Sequence, residues 1–208
     1  MKLLALPTSP YSARVLIQAR EKDLDLEIAH PAPEQTIADF AAGNPFGRIP
    51  VLLTDSGPVI ESFAIAEYLE DRFPEPRLRP ADPHATARMR AFVQAVDQYL
   101  FPVLLRLRGA TGEEAEQAIE QAVADGDRTV QALARLMDES GPVCGDSLSL
   151  ADCAFAPACF YLERFLEPHG RPSPLDGVPR LREWWQAVNR YPSVSGVLAE
   201  LRDAVSER

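Results

Sequence analysis

A cluster of prolines divides the chain into two parts whose hydrophobic patterns differ: Pro74, Pro76, Pro80 and Pro83. Proline lacks a backbone N–H and fixes φ, so neither a helix nor a central strand continues through such a cluster. Before the cluster, short apolar runs alternate with amphipathic stretches, and after it apolar residues recur at helical spacing almost to the end. The sequence therefore predicts an α/β domain over residues 1–76, a linker over 77–83 and an all-helical domain over 84–208.

The apolar patterns predict particular elements within each domain. In the first domain we expect the order βαβ, helix, ββα, with strands at 2–6, 24–29, 51–54 and 59–60 and helices at 12–22, 34–42 and 63–73. In the second domain we expect long helices over 89–107, 113–139 and 149–165 and shorter ones over 181–190 and 193–204. Pro102 predicts a kink in the first long helix, because proline removes a backbone hydrogen bond.

The charge balance argues against a nucleic-acid-binding function. The chain of 208 residues has 21 basic and 31 acidic residues, a formal net charge of −10. The acidic residues are spread over both domains, and the sequence has no basic stripe that could neutralise phosphates.

No apolar run approaches the roughly 20 residues of a membrane-spanning helix, and the apolar start stops at Pro7, too early for a leader. We therefore expect neither a nucleic-acid nor a membrane partner.

The cysteine and histidine patterns argue against disulfides and metal sites. Cys144, Cys153 and Cys159 are odd in number and form no CxxC pair, which indicates free thiols in a reducing, cytoplasmic compartment. The histidines are scattered, so no metal site is expected, and no glycine-rich phosphate-binding motif occurs. Cys153 and Cys159 lie in the most apolar predicted helix, where we expect them to be buried and unreactive.

A turn with two serines, Ser9-Pro-Tyr-Ser12, lies between the first predicted strand and the first predicted helix. A helix N-terminus has unpaired N–H groups and a positive dipole end, so it favours a nearby anion. A serine hydroxyl there can donate a hydrogen bond to a thiolate and so lower the pKa of the thiol. The alternative is that Ser9 or Ser12 merely caps the helix.

Two further segments each have a functional and a structural interpretation. Pro50 stands where the third strand begins, and a cis Ile49–Pro50 bond would turn the Ile49 N–H and C=O outward, free to pair with an extended peptide. An ordinary trans bond is the alternative. Glu61 and Ser62 precede the next helix, whose open end can hold a ligand carboxylate. Capping of that helix by Ser62 is the alternative there.

The three segments together resemble the glutathione transferase superfamily, through SPYS at 9–12, NPxGxxPV at 44–51 and ES at 61–62. The resemblance covers nearly the whole chain and includes YLEDRFP at 68–74 and LSLAD at 148–152. It implies the glutathione transferase fold, an α/β thioredoxin-like N-terminal domain (βαβαββα) followed by an all-α C-terminal domain. Ser9 stands where glutaredoxins place their nucleophilic cysteine, so the chain resembles serine-type bacterial members.

The resemblance implies that glutathione is a co-substrate held by six residues: Ser9, Arg48, Ile49, Pro50, Glu61 and Ser62. Ser9 would be catalytic, because its hydroxyl would stabilise the glutathione thiolate. The backbone of Ile49 would pair with the cysteinyl part, if the following peptide bond is cis. Glu61 and Ser62 would hold the γ-glutamyl amine and carboxylate, and Arg48 would contact the glycyl end.

The resemblance also implies a small hydrophobic electrophile as second substrate and a homodimer. Members of the family pair by packing the first domain of one subunit on the long helices of the other, with two-fold symmetry. The candidate surface covers residues 63–68 and 89–100. Asp97, in the first long helix, could then reach a ligand across the interface. Tyr11 and Ser12 are further candidates near the thiol.

Two remaining groups have structural interpretations. Ser149 and Asp152 form an S-x-x-D pattern before an apolar helix, a variant of the capping box, so Asp152 is predicted to be structural. Five aromatic residues could line an electrophile pocket, but packing in the core is the favoured interpretation: Tyr11, Tyr99, Tyr161, Trp184 and Trp185.

A second functional interpretation is a transferase-like protein without transferase activity. The segments at 11–12, 73–74 and 148–153 are also similar to the bacterial stringent starvation protein A family of RNA-polymerase-associated regulators. Those regulators lack a serine at the position of Ser9. The presence of Ser9 therefore favours the enzyme.

Overall fold

The computed structural model describes residues 1–41, 43–110 and 115–206. These residues form two compact units, one of Met1–Leu78 together with the described residues from Tyr191 onward, and one of Arg79–Arg190. The sequence-based boundaries at 76 and 84 stay a prediction. The predicted domains and the two units differ mainly in the last helix. That helix lies in the predicted helical domain, 84–208, but it groups with the first unit.

The first unit is built on a four-stranded sheet with the order β2-β1-β3-β4. Its strands are Lys2–Leu4 (β1), Glu27–Ala29 (β2), Val51–Thr54 (β3) and Gly57–Ile60 (β4). Its helices are Pro10–Glu21 (α1), Ile37–Phe40 (α2), Ser62–Arg72 (α3) and Pro192–Ser206 (α9). β1 pairs in parallel with β2 and antiparallel with β3, and β3 and β4 form the predicted hairpin.

Apolar side chains pack against both faces of this sheet, because successive strand residues point to opposite faces. The larger cluster joins β1 and β3 to α1 and α3: Leu3, Ala5, Val15, Leu52, Ile65 and Leu69. The smaller cluster contains Leu4, Ala41 and Val51. Each fully buried aliphatic side chain contributes about 1.5–3 kcal/mol relative to exposure. This packing fixes the starts of α1 and α3 relative to the strand ends.

The predicted helix over 34–42 is wrong in length, because α2 has only four residues. Thr36 sets its start, since the Thr36 hydroxyl accepts the Asp39 N–H at 3.1 Å. The two prolines at 31 and 33 disfavour helical backbone before that point. Residue 42, the last of the predicted helix, lies outside the described residues.

The last helix, α9, packs along α1 within the first unit. Arg20 donates to both carboxylate oxygens of Glu200, at 2.8 and 2.7 Å, and the Ser193 hydroxyl donates to the carboxylate of Glu21. A Cβ added to Gly196 would lie 3.3 Å from the Arg20 guanidinium, so glycine permits the close approach. α9 therefore covers part of α1.

The second unit is helical over most of its described residues. Its helices are Pro83–Ala95 (α4), Phe101–Gly109 (α5), Ala115–Ala134 (α6), Leu150–Leu166 (α7) and Pro179–Val188 (α8). The predicted start of the second long helix, at 113, lies outside the described residues, and its predicted end at 139 is wrong. The chain leaves the helix earlier because it turns back, with the Asp138 N–H donating to the Val143 carbonyl at 3.0 Å. Within the described ranges, none of the helices combines the length and apolar character that crossing a membrane requires.

A π turn, Val96–Leu100, lies between α4 and α5, just before the position of the kink predicted at Pro102. The Phe101 N–H donates to the Val96 carbonyl five residues back, instead of the usual four. Pro102 is the second residue of α5, which directly follows this π turn. The backbone stays helical at Ala95, Leu100 and Phe101, so the single helix predicted over 89–107 is continuous and contains one π turn.

Asp152 joins three segments of the second unit. It is fully buried at the start of α7, where it forms the predicted capping box with Ser149. Its carboxylate accepts four hydrogen bonds: the Val143 N–H at 2.8 Å, the Ser149 N–H and hydroxyl at 2.8 and 2.6 Å, and the Trp184 indole N–H at 2.7 Å. Burial raises the pKa of Asp152, and the hydrogen bonds oppose that rise. Trp184 in turn stacks on Phe155, with ring centroids 4.4 Å apart, so this polar centre adjoins the aromatic core.

Candidate functional site

The register of the sheet brings the three predicted site segments to one end of the first unit. Leu4, the last residue of β1, pairs with Val51, the first of β3, and Val51 pairs with Ile60, the last of β4. The segment that follows β1, the segment that precedes β3 and the segment that follows β4 therefore leave the sheet at the same end. These segments contain Ser9, the Ile49–Pro50 bond and Glu61-Ser62, respectively.

Ser9 caps α1, and Ser12 has a different task. The Ser9 hydroxyl accepts the Ser12 N–H at 3.2 Å. Ser9 is largely buried, with 8% of the residue exposed. The Ser12 hydroxyl is completely buried and accepts the Leu6 N–H at 3.2 Å. A hydroxyl that accepts one hydrogen bond still has its own proton to donate. Capping by Ser9 is thus compatible with donation to a thiolate at the N-terminus of α1.

The loop before β3 is shaped by Asn44, a residue of the NPxGxxPV motif that received no role in the sequence analysis. Its side-chain amide donates to the Arg48 carbonyl at 2.8 Å, and its side-chain oxygen accepts the Phe46 N–H at 2.9 Å. Gly47 has φ +59°, a left-handed conformation that glycine adopts without strain. The loop ends in a cis Ile49–Pro50 bond, the form that the family resemblance implies, and the side chain of Arg48 is exposed.

The start of α3 differs from the predicted capping by Ser62. Glu61 occupies the N-cap position, with φ 65° and ψ 118° and no side-chain cap hydrogen bond. Ser62 is the first helical residue, and its hydroxyl accepts a hydrogen bond from Arg14 Nη1 at 3.2 Å. The prediction that Ser62 caps α3 is therefore wrong, because the helix begins one residue earlier than a Ser62 cap requires. Few non-glycine residues have a positive φ, and those that do are concentrated at ligand sites.

Arg14 belongs to a row of buried polar side chains on α1 that sequence reasoning missed. Arg14, Gln18 and Lys22 are four residues apart and are all buried, with Arg14 only 1% exposed. The Gln18 amide donates to the Ala66 carbonyl at 2.8 Å, and Lys22 pairs with Glu70 at 2.9 Å. The spacing was a usable signal, but a polar stripe on a helix is ordinarily read as its solvent face.

The remaining candidates lie in different surroundings. Tyr11 packs against Arg14, with the guanidinium carbon 5.4 Å from the ring centroid. Asp97 lies in the π turn of the helical unit. Tyr99 is 63% exposed, so the favoured prediction of core packing is wrong for this residue, which lines a cavity of about 480 Å³ within that unit, together with Val103 and Leu133. Two of the other aromatic residues are buried in the core, as favoured: Tyr161 and Trp184.

The cysteines are buried free thiols and do not supply a nucleophile. Burial raises the pKa of Cys144 to about 12 and that of Cys159 well above its ordinary value. The thiolate is the reactive form of cysteine, so these groups are inert at neutral pH. Among the described residues, no group of three or more histidine, cysteine or acidic side chains is arranged to hold a metal ion.

Comparison with known proteins identifies the family. A family model described as "Glutathione S-transferase, N-terminal domain" matches residues 3–77, and one described as "Glutathione S-transferase, C-terminal domain" matches residues 116–187. The maleylacetoacetate isomerase of Pseudomonas aeruginosa is 34% identical over 197 residues, 89% of this chain and 89% of that protein. The stringent starvation protein A homologue of Pasteurella multocida is 28% identical over 163 residues, 78% of this chain and 75% of that protein.

A solved structure agrees with both matches. The crystal structure of a rice glutathione S-transferase in complex with glutathione superimposes with a TM-score of 0.83 at 27% identity, covering 99% of this chain and 96% of that chain. The first match, over residues 3–77, includes all three site segments, and the second, over 116–187, lies within the helical unit. The chain belongs to the glutathione S-transferase family, with the thioredoxin-like N-terminal domain and helical C-terminal domain of that fold.

Proposed function

We propose that the protein binds glutathione at the sheet end defined by Ser9, Ile49–Pro50 and Glu61-Ser62, and that it activates the glutathione thiol for attack on a small hydrophobic electrophile. The observation that carries the proposal is the Ser9 hydroxyl at the N-terminus of α1, at the same sheet end as the other two segments. The likeness to a transferase solved with glutathione supports the choice of thiol.

The chemistry depends on ionising the thiol. A free thiol with a pKa near 8.5 is only slightly ionised at pH 7, and the thiolate is the nucleophile. Donation of the Ser9 proton to sulfur, together with the N–H groups of α1, favours the anion. Lowering the thiol pKa by about two units corresponds to roughly 2.7 kcal/mol of differential stabilisation.

The thiolate supports two reaction outcomes. In a transfer, sulfur forms a bond to carbon and the leaving group departs with the electron pair of the bond that breaks. In an isomerisation, sulfur adds to one carbon of a conjugated double bond, the resulting single bond rotates, and expulsion of sulfur restores the double bond. The similarity to a maleylacetoacetate isomerase supports testing the second outcome beside the first.

The rest of glutathione is proposed to lie along the three segments. The Ile49 backbone pairs with the cysteinyl part, and Glu61 and Ser62 hold the γ-glutamyl amine and carboxylate. The exposed Arg48 side chain contacts the glycyl carboxylate. The first helical N–H groups of α3 have no side-chain cap, so they are available to an anion.

Replacing Ser9 by alanine is expected to lower kcat/KM for an aryl halide by about ten-fold or more, equivalent to roughly 1.4 kcal/mol. The physical reason is the loss of the hydrogen bond to the thiolate, so the pKa of the bound thiol should rise as well. Steady-state kinetics and the ultraviolet absorbance of the bound thiolate measure the two effects.

Ser12→Ala is the matched control for this experiment, because the Ser12 hydroxyl is buried and accepts the Leu6 N–H. We expect it to lower stability with little effect on the thiol pKa. Loss of activity in Ser12→Ala but not in Ser9→Ala would assign activation to Ser12. If neither change affects activity, either a backbone N–H activates the thiol or the regulator interpretation applies.

The second candidate function is a regulator without transferase activity, which the similarity to a stringent starvation protein A homologue supports. Ser9 favours the enzyme, because a hydroxyl at the start of α1 suits thiolate binding. Retention on immobilised glutathione, followed by elution with free glutathione, separates the two. A protein that passes through the column and turns over neither substrate type would favour the regulator.

We also propose a homodimer, with Asp97 reaching the neighbouring subunit's ligand. Packing the first domain of one copy on the long helices of the other buries apolar surface under two-fold symmetry. Light scattering at micromolar concentration should give twice 22.9 kDa. A monomer mass over the whole concentration range would exclude this arrangement and the role of Asp97 with it.

The three free cysteines support the proposal of a reducing, cytoplasmic location.

A further inference from the structure

Arg14 is an unusual residue for the interior of a small α/β unit. It is among the largest fully buried side chains of the described residues, and arginine is rarely buried so completely without a specific reason. Its guanidinium lies between the Tyr11 ring and the start of α3. The contact with α3 is a hydrogen bond from Nη1 to the Ser62 hydroxyl oxygen at 3.2 Å.

This contact determines what the Ser62 hydroxyl does with its proton. A hydroxyl has one proton and two lone pairs, and the bond from Arg14 uses a lone pair. Guanidinium has no acceptor, so the Ser62 proton cannot be donated back to it. The proton is therefore directed elsewhere, and acceptance from a cation makes the hydroxyl a stronger donor. The Ser62 hydroxyl does not cap α3, because Glu61 occupies the N-cap position.

We propose that Arg14 is a positioning residue for glutathione, which holds the Ser62 hydroxyl oriented and polarised so that it donates to the γ-glutamyl carboxylate. This inference rests on the proposed function, in which Ser62 holds that carboxylate. Arg14 is 1% exposed, so the proposed route to the ligand is through the Ser62 hydroxyl rather than by direct contact. Its effect passes through the 3.2 Å bond to Ser62, so the two residues must act as one unit.

A double-mutant cycle tests this coupling directly. Glutathione is titrated calorimetrically into the wild type, Arg14→Met, Ser62→Ala and the double variant. Each single change should weaken binding by about ten-fold or more, the usual effect of losing a hydrogen bond to a charged group. The double variant should bind glutathione within about two-fold of the weaker-binding single variant. Once Ser62→Ala has removed the hydroxyl that Arg14 orients, removing Arg14 as well should cost no further affinity.

A purely structural role for Arg14 would give different results. Its effect on binding would then add to that of Ser62→Ala, whatever the change in melting temperature. In kinetics, we expect KM for glutathione to rise in Arg14→Met while kcat at saturating glutathione stays within about two-fold, since the lost interaction concerns binding rather than the reacting sulfur.

Arg14→Lys provides a second variant if Arg14→Met does not fold. Lysine keeps the charge and a donor but has no planar fork, so we expect a smaller loss of about three-fold that again disappears in the Ser62→Ala background. Additive effects, or unchanged affinity in every Arg14 variant, would overturn the inference while the proposed function stands. A wild-type protein that binds no glutathione would overturn both.

Discussion

Replacing Asp152 by alanine is expected to lower the free energy of unfolding by about 3–5 kcal/mol. The capping box alone accounts for about 0.5–2 kcal/mol. The larger effect follows because four buried donors lose their acceptor at once, including the Val143 N–H and the Trp184 indole N–H. A buried donor left without a partner costs about 1–3 kcal/mol. The shift of the urea midpoint at constant m-value measures the change.

Two matched variants separate the cap from the rest of this network. Ser149→Ala removes one donor and one half of the capping box, so its cost should stay within about 0.5–2 kcal/mol. Asp152→Asn keeps one acceptor oxygen for Val143 and Trp184, but its NH2 group would face the Ser149 N–H, so that two donors oppose each other. We therefore expect a loss of stability between those of the other two variants. Glutathione affinity, measured where the variants are folded, should be unchanged. Normal stability with lost binding in Asp152→Ala would contradict the structural role.

Much of the candidate site could be predicted because it depends on short, local patterns. The hairpin between β3 and β4 follows from two apolar runs around a turn sequence, and SPYS follows directly from a short first strand. Ser9 then had to lie near the N-terminus of α1, whichever residues packed on the helix. The capping box at Ser149 and Asp152 is equally local, since three residues of spacing define it.

The features that could not be predicted depend on contacts distant in sequence. The exposed or buried state of the polar stripe on α1 is decided by α3, about 48 residues further along, whose Ser62 and Glu70 provide partners. Without those partners, burial of Arg14 or Lys22 would be prohibitively costly. Docking of α9 on α1 joins Arg20 to Glu200, 180 residues apart, and no local pattern signals it. Such tertiary contacts override local amphipathic preference.

Replacing Lys22 by methionine is expected to destabilise the first unit by about 3–5 kcal/mol, the usual consequence of leaving one charge of a buried pair alone. The Lys22 ammonium lies 2.9 Å from the Glu70 carboxylate and donates to the carbonyls of Phe73 and Pro76, at 2.7 and 2.6 Å. Glu70 also accepts the Leu78 N–H at 2.9 Å. The pair therefore fixes the proline-rich segment that leads along the chain to the helical unit.

The matched control is Lys2→Met, because Lys2 pairs with Glu27 at a similar distance, 2.8 Å, on the surface. An exposed pair contributes about 0–1 kcal/mol, so the shift of the urea midpoint should be several times larger for Lys22→Met than for Lys2→Met. Adding Glu70→Leu to Lys22→Met removes the unpaired buried carboxylate, and it should recover part of the lost stability. Equal losses for Lys2→Met and Lys22→Met would show that the buried pair does not stabilise the segment. Additive losses for Lys22→Met and Glu70→Leu would mean that the two side chains act independently, although Nζ and Oε2 are in contact.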